Sequence, residues 1–412
     1  MTVHNSSLHR FAVFTVLATL GLVGMGGLVT SHGVGMAVPD WPTSYGYNMF
    51  ALPISTWLTG GIFHEHTHRL WASEVGILTI VLNCWLFGKK SRRVLIALGI
   101  VLLLSGIAGI NRPNGLQSSL HIGIHGVIVL IATFFWPRCE PASRQLRVLG
   151  GWATVVVLLQ GLLGGLRVVL DSQLVADVRL GTVFGIVHGC LAQGFLVLLA
   201  VISLMTSRWW QFSGRAGSPL PADGAHGVTR STSLRRWFLF TTLLIFVQLL
   251  IAATMRHQHA GLAIADFPLA YGEIWPDMSA EAVASYNLRR VEVTTSNPIT
   301  AFQIGLQMTH RIVAFLILLA VWLCAWKART IQSIKTLAFV WLGLIFIQVG
   351  LGAWTIWSNK AADVATAHVV VGALSLVTGA LGCLISFKRK TVSASASVVD
   401  FSETKMADRV SV

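Results

Sequence analysis

Apolar residues run along this chain in long unbroken blocks, separated by shorter polar ones. The pattern is neither the strict alternation of a half-buried strand nor the single stripe of a soluble helix. Ten blocks reach or approach the ~20 residues that a helix needs to cross a ~30 Å hydrocarbon layer. They cover about 10–31, 65–87, 93–111, 119–136, 148–170, 181–206, 236–255, 303–326, 334–356 and 365–387. The fourth is the shortest. The pattern predicts an all-α polytopic membrane protein of about ten spans.

Lys and Arg are concentrated in alternate connections, and the connections between are poorer in them. One set holds Lys89, Lys90, Arg92 and Arg93, then Arg144 and Arg147, then Arg235 and Arg236, then Lys327 and Arg329, then Lys388 and Arg389. The first connection of the other set, 31–63, holds none. Such an excess marks the cytoplasmic side, so both termini are expected there. Eight or twelve spans would satisfy the same rule, which fixes parity rather than count. The composition agrees: 54% hydrophobic, 11% charged, mean hydropathy +0.70. The net charge of +14 therefore reads as a topology signal, not a nucleic-acid surface. The five cysteines lie in or beside apolar blocks without a CxxC spacing, which argues against a disulfide framework or zinc site. No cleavable signal peptide is evident, and residues 391–412 are polar enough to be expected disordered.

The chain repeats itself. GMAVPDWPTSYG at 35–46 returns as GLAIADFPLAYG at 261–272, identical at six of twelve positions. His68-Arg69 returns as His310-Arg311, and the Gln160 to Gly164 helix returns at Gln348 to Gly352, followed by His188 and His368 respectively. Each half thus runs loop, His-Arg, Gln-x-x-x-Gly helix, His. Both halves keep the same direction in the membrane, as in a parallel repeat about the membrane normal. The expected division is an N-terminal half at 1–206, a cytoplasmic linker at 207–235, a C-terminal half at 236–390 and the tail. An extra hairpin at about 93–136 interrupts the first half only.

His68, His188, His310 and His368 fall near the outer starts of four different spans. Each half brings two imidazoles to one depth, and two facing neutral imidazoles are the usual axial pair of a low-spin haem iron. A single interfacial His is more often a hydrogen-bonded headgroup contact; four at matched repeat positions favour iron ligation. His121 and His125 start at the same level and are equally suited to line a wet entrance. His32, His64, His66, His257 and His259 read as interfacial.

The halves differ where Glu65 precedes His68 by three and Gln307 precedes His310 by three. Glu65 shares the helix face of its histidine and can move protons or balance positive charge; Gln307 can only hydrogen-bond. The plainer use of Glu65 is as an acid favoured by a helix start. Arg69 and Arg311 have two uses open, to hold haem propionates or to anchor a helix end. Gly161, Gly164, Gly165, Gly350 and Gly352 permit close approach by a macrocycle or a helix. Asp40 and Asp266, beside Trp41-Pro42 and Phe267-Pro268, read as rigid turns that lid the pockets.

This set resembles the haem A synthase family, the Cox15/CtaA proteins. The family's ExxHR motif stands at Glu65 to Arg69, its Pro-Asp-Trp-Pro loop with Tyr-Gly at Pro39 to Pro42 and Tyr45-Gly46, and its QGxxGGxxV helix at Gln160 to Val168. The likeness covers most of 10–387 apart from about 93–136. It implies an eight-helix core of two tandem pseudo-symmetric four-helix bundles, with haem b held by His310 and His368. It implies that the N-terminal half binds haem O near His68 and His188, with Glu65 needed for chemistry. The substrate's C8 methyl would become a formyl group, giving haem A for terminal oxidases. Haem O synthase, the protohaem farnesyltransferase, and an unidentified electron acceptor are the partners this implies, along with membrane lipid. Two departures stand out. Many bacterial members carry a cysteine pair in the first outer loop, whereas 31–63 has none. The hairpin is also extra, with an interface in a homo-oligomer or a wall of the substrate entrance as its two uses. A short N-terminus without an Arg- and Ser-rich transit segment points to a bacterial inner membrane, with haem sites towards the periplasm. The rival readings are a diheme b-type electron-transfer cytochrome and a haem transporter or chaperone.

Overall fold

The computed structural model describes residues 4–110, 116–137, 139–175, 178–212, 232–289 and 298–388. The hairpin turn at 111–115, most of the linker and the C-terminal tail lie outside the described residues. Among the described residues, ten long helices appear where the apolar blocks predict them: α1 (Ser6–Ser31), α2 (Gly60–Phe87), α3 (Ser91–Gly109), α4 (Leu116–Phe134), α5 (Arg144–Val169), α6 (Leu180–Thr206), α7 (Thr232–His257), α8 (Ala301–Ala328), α9 (Gln332–Trp357) and α10 (Ala362–Phe387). Eight helical stretches are long and apolar enough to cross a membrane, α2 and α3 together forming one of them. The apolar part of α4, Ile122–Phe134, is shorter.

Local chemistry sets the helix ends and quiets the interior. Asn5 caps α1 by accepting from the Leu8 N–H at 3.0 Å. Thr300 and Gln303 open α8 with reciprocal bonds, a capping box. Within the spans, Thr15, Thr19 and Thr79 donate to carbonyls one turn back at 2.7–2.9 Å, so their hydroxyls stay paired where water is absent. The α2–α3 break falls at Gly88, where φ is +55° and any side chain would strike the Cys139 carbonyl.

Helices α1, α2, α5 and α6 form one four-helix ring; α7, α8, α9 and α10 form the second. The seam between them is built symmetrically, α1 against α10 and α6 against α7, with α6 and α10 meeting on the axis. Each ring is filled by a large apolar cluster towards the end remote from its repeated loop. In the first it comprises Leu8, Leu82, Leu86, Leu146, Phe195 and Leu199 among others; in the second, Leu234, Phe238, Val321, Ile334 and Trp341 among others. The outer half of each ring is where the histidines sit. A third cluster, with Ile264, Tyr286 and Ile304, lies above the second ring under its outer loop.

Helices α3 and α4 pack on each other and only lightly on the ring. Their contact is backbone-close: a side chain at Gly106 would lie 2.6 Å from the Gly123 nitrogen, and one at Gly126 equally near that of Leu103. Small residues set this close contact, and Arg92 adds a bond to the Thr133 carbonyl at 3.2 Å.

Glycine also sets the spacing of the second ring. A side chain at Gly382 would run into the fully buried Phe238 ring, whereas one at Gly343 would meet nothing within 4 Å. Gly382→Ala is expected to cost about 1–3 kcal/mol by overpacking, and Gly343→Ala to be neutral or to stabilise by up to ~1 kcal/mol. Unfolding of the two variants in mixed micelles measures the contrast.

Candidate functional site

The two repeated loops fold alike down to single bonds. Asp40 accepts from the N–H groups of Tyr45 (2.7 Å) and Gly46 (2.8 Å) and from the Thr43 hydroxyl. Asp266 accepts from Tyr271 (2.7 Å) and Gly272 (2.9 Å) in the same way. Burial alone would raise the Asp40 carboxyl, but these donors outweigh it and hold the group below the usual carboxylate range. The turn therefore keeps its charge at neutral pH and loses this contribution only in acid. Both loops hold a cis peptide, Trp41–Pro42 and Phe267–Pro268, and a left-handed tyrosine, Tyr45 and Tyr271. Each tyrosine hydroxyl donates back to a loop carbonyl, Ala37 or Ala263. Trp41 lies on Gly165 of α5, and Phe267 meets Trp357 at the end of α9 with ring centres 6.2 Å apart. The loops thus cover the outer openings of the two rings.

Beneath each loop, two imidazoles meet across the ring. His68 and His188 are the ninth residues of α2 and α6; His310 and His368 are the tenth and seventh of α8 and α10. At 1.5 Å per residue they lie about 9–14 Å inward from the helix starts, deeper than the sequence pattern suggests. The helices begin earlier than the apolar blocks because Gly60 to His64 and Ala301-Phe302 are already helical. The ring centres of His310 and His368 are 6.4 Å apart with planes at 57°. Two imidazoles bound to opposite sides of one metal at about 2.0–2.1 Å, the usual metal–imidazole distance, have ring centres roughly 6.4 Å apart. His68 and His188 are near enough to act on each other electrostatically.

All four rings share one bonding state. Each Nδ1 is enclosed without a hydrogen-bond partner, and each Nε2 is neither enclosed nor bonded among the described residues. Carbonyls of Gln160 and Gln348 lie beside His188 and His368, close enough to influence them but outside bonding geometry. A ligating imidazole commonly turns its second nitrogen towards such a carbonyl. Glycine backs the rings: a side chain at Gly26, Gly164 or Gly352 would press on His68, His188 or His368 at 3.2–3.4 Å. Gln160 further donates to the His188 carbonyl at 3.0 Å, and Gln248 to that of His310 at 2.8 Å. Among the described residues no three His, Cys, Asp or Glu side chains converge on a point. A haem iron takes its four equatorial bonds from the macrocycle and needs only two axial imidazoles, so this donor set fits a haem.

Glu65 and Gln307 do matching work. Glu65 is 4% exposed; one oxygen accepts from the Val38 N–H at 2.8 Å and the other pairs with Arg69 at 2.7 Å. Gln307 accepts from the equivalent Ile264 N–H at 2.6 Å, and its amide donates to the Ile264 and Gly261 carbonyls. Each residue staples its outer loop to the helix that carries the first histidine. Arg69 spends its guanidinium on the carbonyls of Val38, Asp40 and Thr43, and Arg311 on those of Asp266 and Leu269. Of the two uses open to these arginines, the geometry displays the anchoring one.

Other expectations shift. His66 is not interfacial: it is 1% exposed, enclosed by Trp57 and within 3.3 Å of the Ser44 hydroxyl, because α2 starts early enough to turn it under the loop. His257 enters the seam and lies against Gly185 of α6. His32 and His64 stack on each other at 4.6 Å. His125 is exposed, with its ring centre 6.3 Å from that of Phe50 in the first loop; the side chain of His121 lies outside the described residues. The sequence reading passed over Gln248, which props His310, and Arg167, which lies over Gly35 beside the first pair. Repeat alignment offered a signal for Arg167, because its counterpart is Thr355.

Arg69→Gln is expected to release the first loop while leaving the helices in place. Amide exchange at Tyr45 and Gly46 should rise about tenfold to a hundredfold, as for loss of ~1.5–3 kcal/mol of charged hydrogen bonding. Exchange mass spectrometry measures it, and unchanged protection would remove Arg69 from the anchoring role.

Comparisons with known proteins accord with this architecture. The family model for COX15-CtaA, cytochrome oxidase assembly protein, matches residues 122–380. The chain is 28% identical over 174 residues to a protein named "Heme A synthase" from Caulobacter sp. (strain K31), covering 41% of this chain and 46% of that protein. It is 26% identical over 219 residues to one of the same name from Shouchella clausii (strain KSM-K16), covering 52% and 59%. A third, from Nitrosomonas eutropha, is 27% identical over 229 residues, covering 54% and 57%. The chain spans about half the length of the curated relatives it matches. With the family model covering well over half of its residues, this chain belongs to the COX15-CtaA family of cytochrome oxidase assembly proteins.

Proposed function

We propose that this protein converts haem O to haem A, oxidising the C8 methyl to a formyl group in successive steps for use by terminal oxidases. The observation that carries the reading is the doubled imidazole pair, each ring with one nitrogen enclosed and the other free. The name shared by the matched relatives supports it.

His310 and His368 would hold a resident haem b, which supplies one-electron redox chemistry when bound. His68 and His188 would hold the substrate. The lids support this division. The second loop is tied down by a packed cluster in which Tyr271 and Tyr286 stack at 3.6 Å, as suits a group that stays. The first is held by the Glu65–Arg69 pair and its carbonyl bonds, as suits one that exchanges. Glu65 is also the one fully buried acid among the described residues. Its carboxylate can accept a proton or balance positive charge beside His68, while its bonds to Val38 and Arg69 fix where it stands. Gln307 keeps the staple without the charge.

The orientation proposed is that of a bacterial inner-membrane protein with both termini cytoplasmic and both haem sites towards the periplasm, as the Lys and Arg distribution supports. Haem O synthase is the proposed source of substrate.

Pyridine haemochrome spectra with product chromatography test the proposal in cells that do or do not supply haem O. Wild type should carry b-type haem alone without haem O, and should form haem A with it. His368→Ala should lose the b-type signal. Glu65→Gln should keep that signal and lower haem A at least ~100-fold, the scale of a lost general acid or base. Two haem b per chain under both conditions would instead identify a diheme cytochrome, and normal haem A in Glu65→Gln would remove Glu65 from the chemistry.

A further inference from the structure

The two imidazole pairs are near copies, but their outer surroundings are not. Arg167 stands on α5 seven residues after Gln160, two turns further out. It packs over Gly35, where any side chain would lie 2.5 Å from its Nη2. It acts electrostatically on both His68 and His188. From across the seam, α7 delivers His257 against Gly185, one turn outward of His188. Arg256, the residue before it, donates to the Gly27 carbonyl at 2.5 Å and the Ser31 hydroxyl at 2.9 Å, tying the seam together.

The matching positions around the second pair carry no charge. Thr355 follows Gln348 by seven as Arg167 follows Gln160; Thr30 and Ser31 stand where Arg256 and His257 stand. Thr355 is satisfied by its own helix, donating to Leu351 at 2.8 Å. Gly261, the counterpart of Gly35, meets nothing within 4 Å. Gene duplication supplied the imidazoles to both halves; Arg167, Arg256 and His257 gather at the first pair alone.

The two arginines of this cluster have no acid in contact to neutralise them. Arg167, Arg256 and His257 influence one another directly. The nearest carboxylates to Arg167, Glu65 and Asp171, act only at longer range, and Glu65 is already paired with Arg69. Among the described residues, Arg167 makes no side-chain hydrogen bond, His257 lies within reach of the Gly185 backbone, and the only ion pairs are Glu65–Arg69 and Lys89–Glu140. Clustered positive charge at membrane depth is costly unless an anion completes it. A planar guanidinium donates to a carboxylate through two parallel bonds.

We infer that Arg167, with His257 and Arg256 behind it, is a carboxylate-binding site that receives a propionate of the macrocycle held between His68 and His188. The inference rests on the proposal that this pair binds a haem. It adds the means by which the first half orients its ligand about the iron axis, which two imidazoles cannot do alone. It also tells the two halves apart, because the second offers threonine and serine at the same level.

The test uses the full chain carrying its resident haem, in discs of zwitterionic phosphatidylcholine. It is titrated with ferric haem b or with the dimethyl ester of haem b, which keeps the ring and iron but not the acid groups. The Soret band reports uptake. Wild type should bind the free acid about tenfold to a hundredfold tighter than the ester, as loss of a charged hydrogen-bonded contact implies. Arg167→Gln should bind both alike, with the resident haem spectrum unchanged as the sign of an intact fold. Arg167→Lys should keep part of the preference. Equal binding of acid and ester by wild type, or a preference that survives in Arg167→Gln, would overturn the inference. So would a preference abolished by adding anionic phosphatidylglycerol, which would give the site to a lipid phosphate. Uptake that His188→Ala leaves unchanged would show that the first half is no haem site, and would take the proposed function down as well.

Discussion

Four imidazoles enclosed among apolar helices, each with one ring nitrogen walled in and the other left free, set the terms for the rest of this molecule. A polar ring buried without a partner is costly, and the chain accepts that cost four times at matched positions. The surroundings are shaped to keep the rings where they are. Glycines on the facing helices leave room for them, glutamines hold the backbone of two of the helices that carry them, and the apolar clusters fill only the part of each ring remote from its loop.

Duplication explains the sameness of the halves, and electrostatics explains where they part. The two outer loops repeat the same aspartate turn, the same cis peptide and the same tyrosine bond. The staple beneath each loop is the same length but not the same charge. A carboxylate requires the neighbouring arginine as partner, whereas an amide finds its own loop carbonyls. The second loop is backed in addition by a packed cluster around Tyr271 and Tyr286, whereas the first is tied by the Glu65–Arg69 pair.

The α3–α4 hairpin stands apart from this logic. Its helices approach closely through glycines and lean little on the ring. Removing it from the count leaves the two four-helix rings, and sidedness is unaffected because a hairpin crosses twice.

Much of this was legible in the sequence, because a bilayer permits few solutions. Backbone groups without water must pair within their own helix, so long apolar blocks become helices and the positive connections give a direction. The repeat made the halves and their four histidines readable, since the same residues at the same order force the same bundle. Other features had to wait for the packing. Glu65 reads from the sequence as an acid beside a histidine; only the folded loop reveals that both its oxygens are engaged, because Val38 lies 27 residues away along the chain. Arg69 leaves two uses open until the carbonyls of the first loop close around it. Arg167 and His257 belong to different halves and carry no shared motif, so nothing linear joins them. The linear chain settles what repeats and what spans, because those depend on local composition; the seam decides which charges meet, because that depends on how two rings dock.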